Sequence, residues 1–244
     1  MDHHIIQQIL PSMLAVEKEA SIMTYSVNVT NSSGAPQNVA IFLADASDIN
    51  EFSLVWLVTT INNGGNYSFK WDQTDFGLGW GNTSQPVDIG VLFTSGQSPT
   101  SVSPTTANSN NALPVQHNNN GFFSGTPYLN PNIHNKLEIT TDASFTVSAS
   151  LTMSVALYVA QYPALVMQGA PNTRYYFDIA QISYYLTVTD LAQGVMLPKL
   201  NTQLDENSII QSKSSLSTPT KIVFGSGAMD LTYILDGTLT FCQT

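Results

Sequence analysis

The stretch Phe145-Thr146-Val147-Ser148-Ala149-Ser150-Leu151-Thr152-Met153-Ser154-Val155-Ala156-Leu157 decides the fold class. Phe145, Val147, Ala149, Leu151, Met153, Val155 and Leu157 alternate with Thr146, Ser148, Ser150, Thr152, Ser154 and Ala156. A period of two over that length predicts a β-strand. From residue 143 to 173 there is no Asp, Glu, Lys, Arg or His, so the predicted strand has one apolar face, one hydroxyl face and almost no charge. Such a surface is expected to be covered, by another element or by another chain.

The same pattern extends outward on both sides. Met23, Tyr25, Val27 and Val29 alternate with polar residues and end in a turn rich in Asn, Ser and Gly, so the domain is expected to start at Met23. Further strands are expected over 37–44, 52–61, around Phe69 and Trp71, and over 87–94. The Gly64-Gly65 turn is expected to join two of them as a hairpin. Residues 95–135, dominated by Ser, Pro, Thr, Asn and Gly, read as an irregular excursion anchored by Phe122, Phe123 and Tyr128. Strands follow over 175–190, 221–224, 229–235 and 238–242, the last pair joined by a two-residue Asp236-Gly237 turn. The fold class is therefore all-β: one antiparallel β-sandwich domain over 23–244 with a long Asn/Ser/Pro-rich loop, preceded by an extension, 1–22. In that extension Ile5, Ile6, Ile9, Leu10, Met13 and Leu14 recur at helical spacing, and Pro11 suits the first turn of a short helix over 11–20.

Composition limits the function. Charged residues are 10% of the chain, against roughly a quarter in ordinary soluble domains, so solubility rests on Asn, Gln, Ser and Thr. The net charge of −10, from 17 acids and 7 bases, disfavours nucleic acid, whose phosphates need clustered cations. Low charge density leaves copies only weakly repelled, and self-association follows as an expectation. The single Cys242 makes no intrachain disulfide; it is expected to pack as a small apolar group, with cross-linking of two chains as the alternative. The acidic, His-bearing start does not read as a signal peptide, which points to a cytoplasmic protein or one exported by a non-classical route. No apolar stretch suits a membrane helix.

Candidate chemistry is sparse. Asp45, Asp48 and Glu51 sit three apart in an expected loop, where closely spaced oxygen ligands could hold calcium, although the spacing is not that of an EF-hand; the alternative is a solvated turn whose carboxylates cap backbone amides. Asp72 and Asp75 beside Trp71 carry only a weak suggestion of a glycosidase pair. His3, His4, His117 and His134 lack metal-ligand spacing, and no nucleophile motif is present. Trp80, within Gly77-Leu78-Gly79-Trp80-Gly81, reads as an exposed ring able to stack on a sugar, with Asn82 beside it to bond hydroxyls. Core packing is the alternative for this and the other aromatics. No cofactor is expected beyond that calcium.

Three segments together resemble the RhiA-type family, named for a bacterial protein associated with the rhizosphere. They are Val29-Thr30-Asn31-Ser32-Ser33-Gly34 with Asn38-Val39-Ala40-Ile41-Phe42, Phe52-Ser53-Leu54-Val55-Trp56 and Tyr67-Ser68-Phe69-Lys70-Trp71; the alternating strand leading to Gln161-Tyr162-Pro163; and Ile222-Val223-Phe224-Gly225 with Leu235-Asp236-Gly237-Thr238-Leu239. The chain departs from that pattern in its N-terminal extension, in the Asn-rich loop, and at Leu239, where an aromatic is expected. The resemblance implies a bacterial β protein and no particular reaction.

The leading functional expectation is a non-enzymatic β protein that assembles with itself through the apolar stripe Ile5, Ile6, Ile9, Leu10, Met13 and Leu14. A lectin-like module using Trp80 and the polar loop is the runner-up. A pore-forming toxin is the third reading, because Ser and Thr alternating with apolar residues suit a transmembrane hairpin strand; the lack of an equally long partner strand counts against it.

Overall fold

The computed structural model describes residues 24–45, 47–105, 109–200, 216–225 and 227–244. The expected helix over 11–20 and the apolar stripe at Ile5, Ile6, Ile9, Leu10, Met13 and Leu14 lie outside them. In chain order the strands are β1 (Thr24–Asn31), β2 (Gln37–Asp45), β3 (Phe52–Ser53), β4 (Leu57–Ile61), β5 (Asn66–Asp72), β6 (Phe76–Asn82), β7 (Thr94–Ser95), β8 (Thr100–Val102), β9 (Ala112–Asn118), β10 (Gly121–Ser124) and β11 (Lys136–Thr141). After a short helix, α1 (Val147–Ser150), come β12 (Met153–Val159), β13 (Tyr162–Gln168), β14 (Arg174–Asp178), β15 (Ile182–Val188), β16 (Thr220–Ile222), β17 (Asp230–Leu235) and β18 (Phe241–Gln243).

These strands form four sheets. The first has the order β18-β17-β1-β5 and the second β16-β15-β2-β4. The third runs β3-β13-β12-β6, with β7 and β8 both on β6, and the fourth β10-β9-β11-β14. Pairing is antiparallel except for β1 with β17 and β9 with β11. One hydrophobic cluster joins all four, from Val27 and Val29 on β1 to Phe241 on β18.

The deciding stretch behaves as two pieces. Its first half is not a strand: the Thr146 hydroxyl accepts from the Ala149 amide at 3.2 Å, and Ser150 Oγ donates to the Val147 carbonyl at 2.9 Å. These local bonds close α1 and compete with strand pairing, leaving Val147 and Leu151 exposed. The second half is β12, and it is covered on both faces. Met153, Val155, Leu157 and Val159 join the main cluster, while Ala156 and Tyr158 join a second one with Leu54, Val91, Phe93, Val166 and Met196. The second face is thus covered, as expected, by an element of the same chain around Val91 and Met196, which explains its missing charge. Ser154 Oγ is buried there without a partner. Ser154→Ala is expected to raise stability by about 1 kcal/mol, read from urea unfolding, because it removes an unsatisfied buried hydroxyl.

β12 also has a partner of equal length. β13 pairs with it through a two-residue turn at Ala160 and Gln161, both at positive φ, the backbone twist that suits a tight hairpin. Asp75 pins this turn: its carbonyl accepts from the Ala160 amide and its carboxylate from Gln161 Nε2.

Other expectations need correction. The Gly64-Gly65 turn joins no hairpin, because β4 pairs with β2 in the second sheet and β5 with β1 in the first. The buried Asn31 governs that crossover: its Nδ2 donates to the Ile61 carbonyl at 2.7 Å and to the Ala35 carbonyl at 2.8 Å, and its backbone bonds Gly64 and Gly65. Residues 95–135 are not an irregular excursion. They supply β8, β9 and β10, and Phe122 does pack on the core, 5.0 Å from the Phe145 ring. No named strand covers 87–93, where Leu92 makes only an isolated bridge to Val195. The β17–β18 turn is longer than two residues: it spans 236–240, closed by Asp236 accepting from the amides of Thr238 and Thr240. Cys242 is exposed rather than packed.

Candidate functional site

The end of β2 builds a charged corner. The Asp45 carboxylate accepts from the Ser47 amide at 2.7 Å, and Asp48 accepts from the Asn50 amide at 2.8 Å. Two successive side-chain-capped turns therefore steer the chain from β2 into β3. Glu51 differs from both, since it is 5% exposed and its Oε1 has no partner. Burial first, then the charges of Asp45 and Asp48, push its carboxyl up to about 8, against a smaller pull downward from the Asp45 backbone amide and Lys199. Lys199 donates to the Ile49 carbonyl and stands 4.3 Å from the centre of the Phe52 ring.

Beside this corner lies an open cleft of about 510 Å³, with Asp48, Phe52, Met167, Arg174, Tyr176 and Lys199 among its walls. Arg174, the only arginine of the chain, reaches Glu138 at 3.2 Å. Glu138 is fully buried, and its other oxygen accepts from Asn130 Nδ2 at 2.8 Å and Tyr128 Oη at 3.2 Å. Gln168 is used up internally, with Nε2 bonding the Ser150 and Met153 carbonyls and Oε1 accepting from the Val87 amide. The polar groups around the cleft thus brace the fold. Removing Arg174 leaves a buried carboxylate short of its cation, which is costlier than removing the pair. Arg174→Met is expected to lower Tm, and Arg174→Met with Glu138→Gln to recover part of the loss in the same thermal melt.

Of the expected site residues only Asp48 lines this cleft. Among the described residues no three His, Cys, Asp or Glu side chains are grouped to hold a metal ion. Asp45, Asp48 and Glu51 fail as a calcium set because two cap their own turns and the third is turned into the protein. Asp72 and Asp75 are likewise turn residues: Asp72 accepts from the Thr74 amide and hydroxyl, and Asp75 holds Gln161.

Trp80 is not on an exposed loop. It lies on β6, 7% exposed, with its ring 5.6 Å from Phe122 and its Nε1 donating to Gln97 Oε1 at 3.2 Å. The glycines around it belong to the strand. A Cβ on Gly79 would come within 3.0 Å of the Tyr158 ring and one on Gly81 within 2.4 Å of Phe93, so the bare backbone is what lets these rings lie across β6. Asn82 is exposed at the strand's end, paired with Met153 and Thr94. The sequence reading missed Glu138, whose signal was an acid inside the apolar run Leu137-Glu138-Ile139.

A family model described as RhiA matches residues 23–238. The chain belongs to the RhiA family. The match opens one residue before β1 and spans the four sheets up to the β17–β18 turn, including the Asn-rich 95–135 segment. Comparison with curated proteins and with solved structures returned no match.

Proposed function

We propose that this RhiA-family chain is a non-enzymatic β protein that works by associating with copies of itself, as a structural or inclusion-type material. The observation that carries this reading is the open first sheet. Its edge strand β5 has seven residues and, among the described residues, no strand pairs beyond it; edges of that kind invite pairing between chains. The non-enzymatic part is supported by the acids Asp45, Asp48, Asp72 and Asp75, each engaged in a turn. Within the same reading, the first and second sheets are the layers of a sandwich. Supporting this, Tyr25 and Trp71 of the first sheet meet Tyr184 of the second, at ring distances of 6.1 and 5.2 Å.

Sedimentation of the full chain over a wide concentration range tests the proposal. Species heavier than the 26.4 kDa monomer are expected to grow with concentration, and a chain that stays monomeric throughout would overturn it. The same measurement on a chain starting at Met23 assigns or removes a contribution from Ile5, Ile6, Ile9, Leu10, Met13 and Leu14. A lectin-like role now draws support from the open cleft, where Tyr176 is 38% exposed, rather than from Trp80. Saturable glycan binding by a monomer would favour it. The pore reading loses the pattern that suggested it, since Thr146, Ser148 and Ser150 belong to the α1 turn and its cap, and β12 is buried on both faces.

A further inference from the structure

We propose that the outward face of the first sheet is a self-complementary contact between two copies of this chain, related by a two-fold axis running along β1. The proposal rests on the self-association reading above and names a surface for it. The strand registers set the side chains of that face in three rows across the sheet: Lys70, Ser26, Asp230; then Ser68, Asn28, Thr232; then Asn66, Thr30, Ile234, with Ser26 itself buried and its hydroxyl paired with that of Ser68. Their neighbours along the strands, Val27, Val29, Phe69, Trp71, Leu231 and Tyr233, point into the core, which fixes the direction of each row.

Lys70 and Asp230 are the only charges in these rows, and they stand at opposite ends of one row. They lie two strand spacings apart, about 10 Å, and neither forms an ion pair among the described residues. Asp72, beyond the first row, is turned to Thr74. The strand between the two charges carries only Ser26, Asn28 and Thr30, all short.

Half a turn about an axis along β1 keeps each row at its own height and exchanges the two sides of the sheet. Lys70 of one copy then lies over Asp230 of the other, and this happens twice in the pair. Ser68 faces Thr232, Asn66 faces Ile234, and the β1 side chains meet their own counterparts on the axis. An axis across the strands would instead set Asp230 against Ile234 and Lys70 against Asn66. The charge pattern therefore selects the first arrangement. Three rows across three strands cover on the order of 300 Å² per copy, less than half of a standard interface side. The contact is accordingly weak, salt-sensitive and suited to arrays in which several contacts act together.

The test is sedimentation of the full chain at high concentration and low salt. Lys70→Asp and Asp230→Lys each place like charges over each other twice, and each is expected to raise Kd about tenfold or more; the double exchange is expected to restore it. Both side chains are exposed, so the fold tolerates the changes, as circular dichroism checks. Independently, Asn28→Cys with Cys242→Ser places a thiol on the axis, and mild oxidation is expected to yield a disulfide-linked dimer. If the chain self-associates, yet Kd ignores both reversals and the Asn28→Cys chain stays unlinked, this face is not the contact while self-association stands. A wild-type chain that is monomeric at every concentration removes both.

Discussion

Trp56→Ala is expected to cost about 4 kcal/mol of folding stability, the typical price of truncating a fully buried tryptophan. Trp56 is completely buried and ties three sheets together. Its ring meets Trp71 of β5 edge-on at 5.2 Å, its Nε1 donates to the Val159 carbonyl of β12 at 2.9 Å, and its backbone amide bonds the Ile41 carbonyl of β2. Truncation opens a cavity and strands the Val159 carbonyl without its donor, two costs that add. Trp56→Phe keeps most of the apolar area and loses the bond, so it is expected to cost about 1–2 kcal/mol. Urea unfolding of the three proteins checks both values, with the slope m unchanged if only stability moves. A Trp56→Ala loss below about 1 kcal/mol would mean that the ring does not hold these sheets together.

Glu51→Gln is expected to change how stability depends on pH. The folded-state value of about 8 lies above the ordinary 4.5, so between those values the folded chain holds a proton that the unfolded chain has released. Stability from this group is fully present below about pH 4.5 and falls as pH rises to about 8, by about 1.4 kcal/mol for each unit. Above that, the buried charge is a constant penalty. Glutamine matches the protonated carboxyl in size and never ionises. The variant is therefore expected to equal the wild type near pH 5 and to exceed it by a few kcal/mol above pH 8. Urea midpoints for both proteins at pH 5, 7 and 9 give the answer, and parallel profiles would show that Glu51 is not held neutral by burial.

The sequence by itself determined the β class and several strands, because a period of two is a local property. β1, β2 and β17 fall within a residue or two of where alternation and apolar runs placed them, whereas the single strand read over 175–190 is two, β14 and β15; the capping alternative for Asp45 and Asp48 was legible from acids followed closely by Ser or Asn. The tertiary structure decided what covers each face. Alternation marks two faces of a strand but not whether distant chain lies over the second one, so the burial of β12 beneath Val91 and Met196 was invisible locally. The glycines of β6 show the same limit: a glycine beside tryptophan reads as a loop until Tyr158 and Phe93 are seen lying on it. Where alternation continued but strand did not, at 146–150, the hydroxyls that formed the pattern bonded their own backbone instead. The expected hairpin around Gly64-Gly65 failed because Asn31, thirty-odd positions earlier, sends its two flanking strands to different sheets. Local periodicity sets strand character, whereas partners remote in sequence set pairing, coverage and the burial that lifts the proton affinity of Glu51.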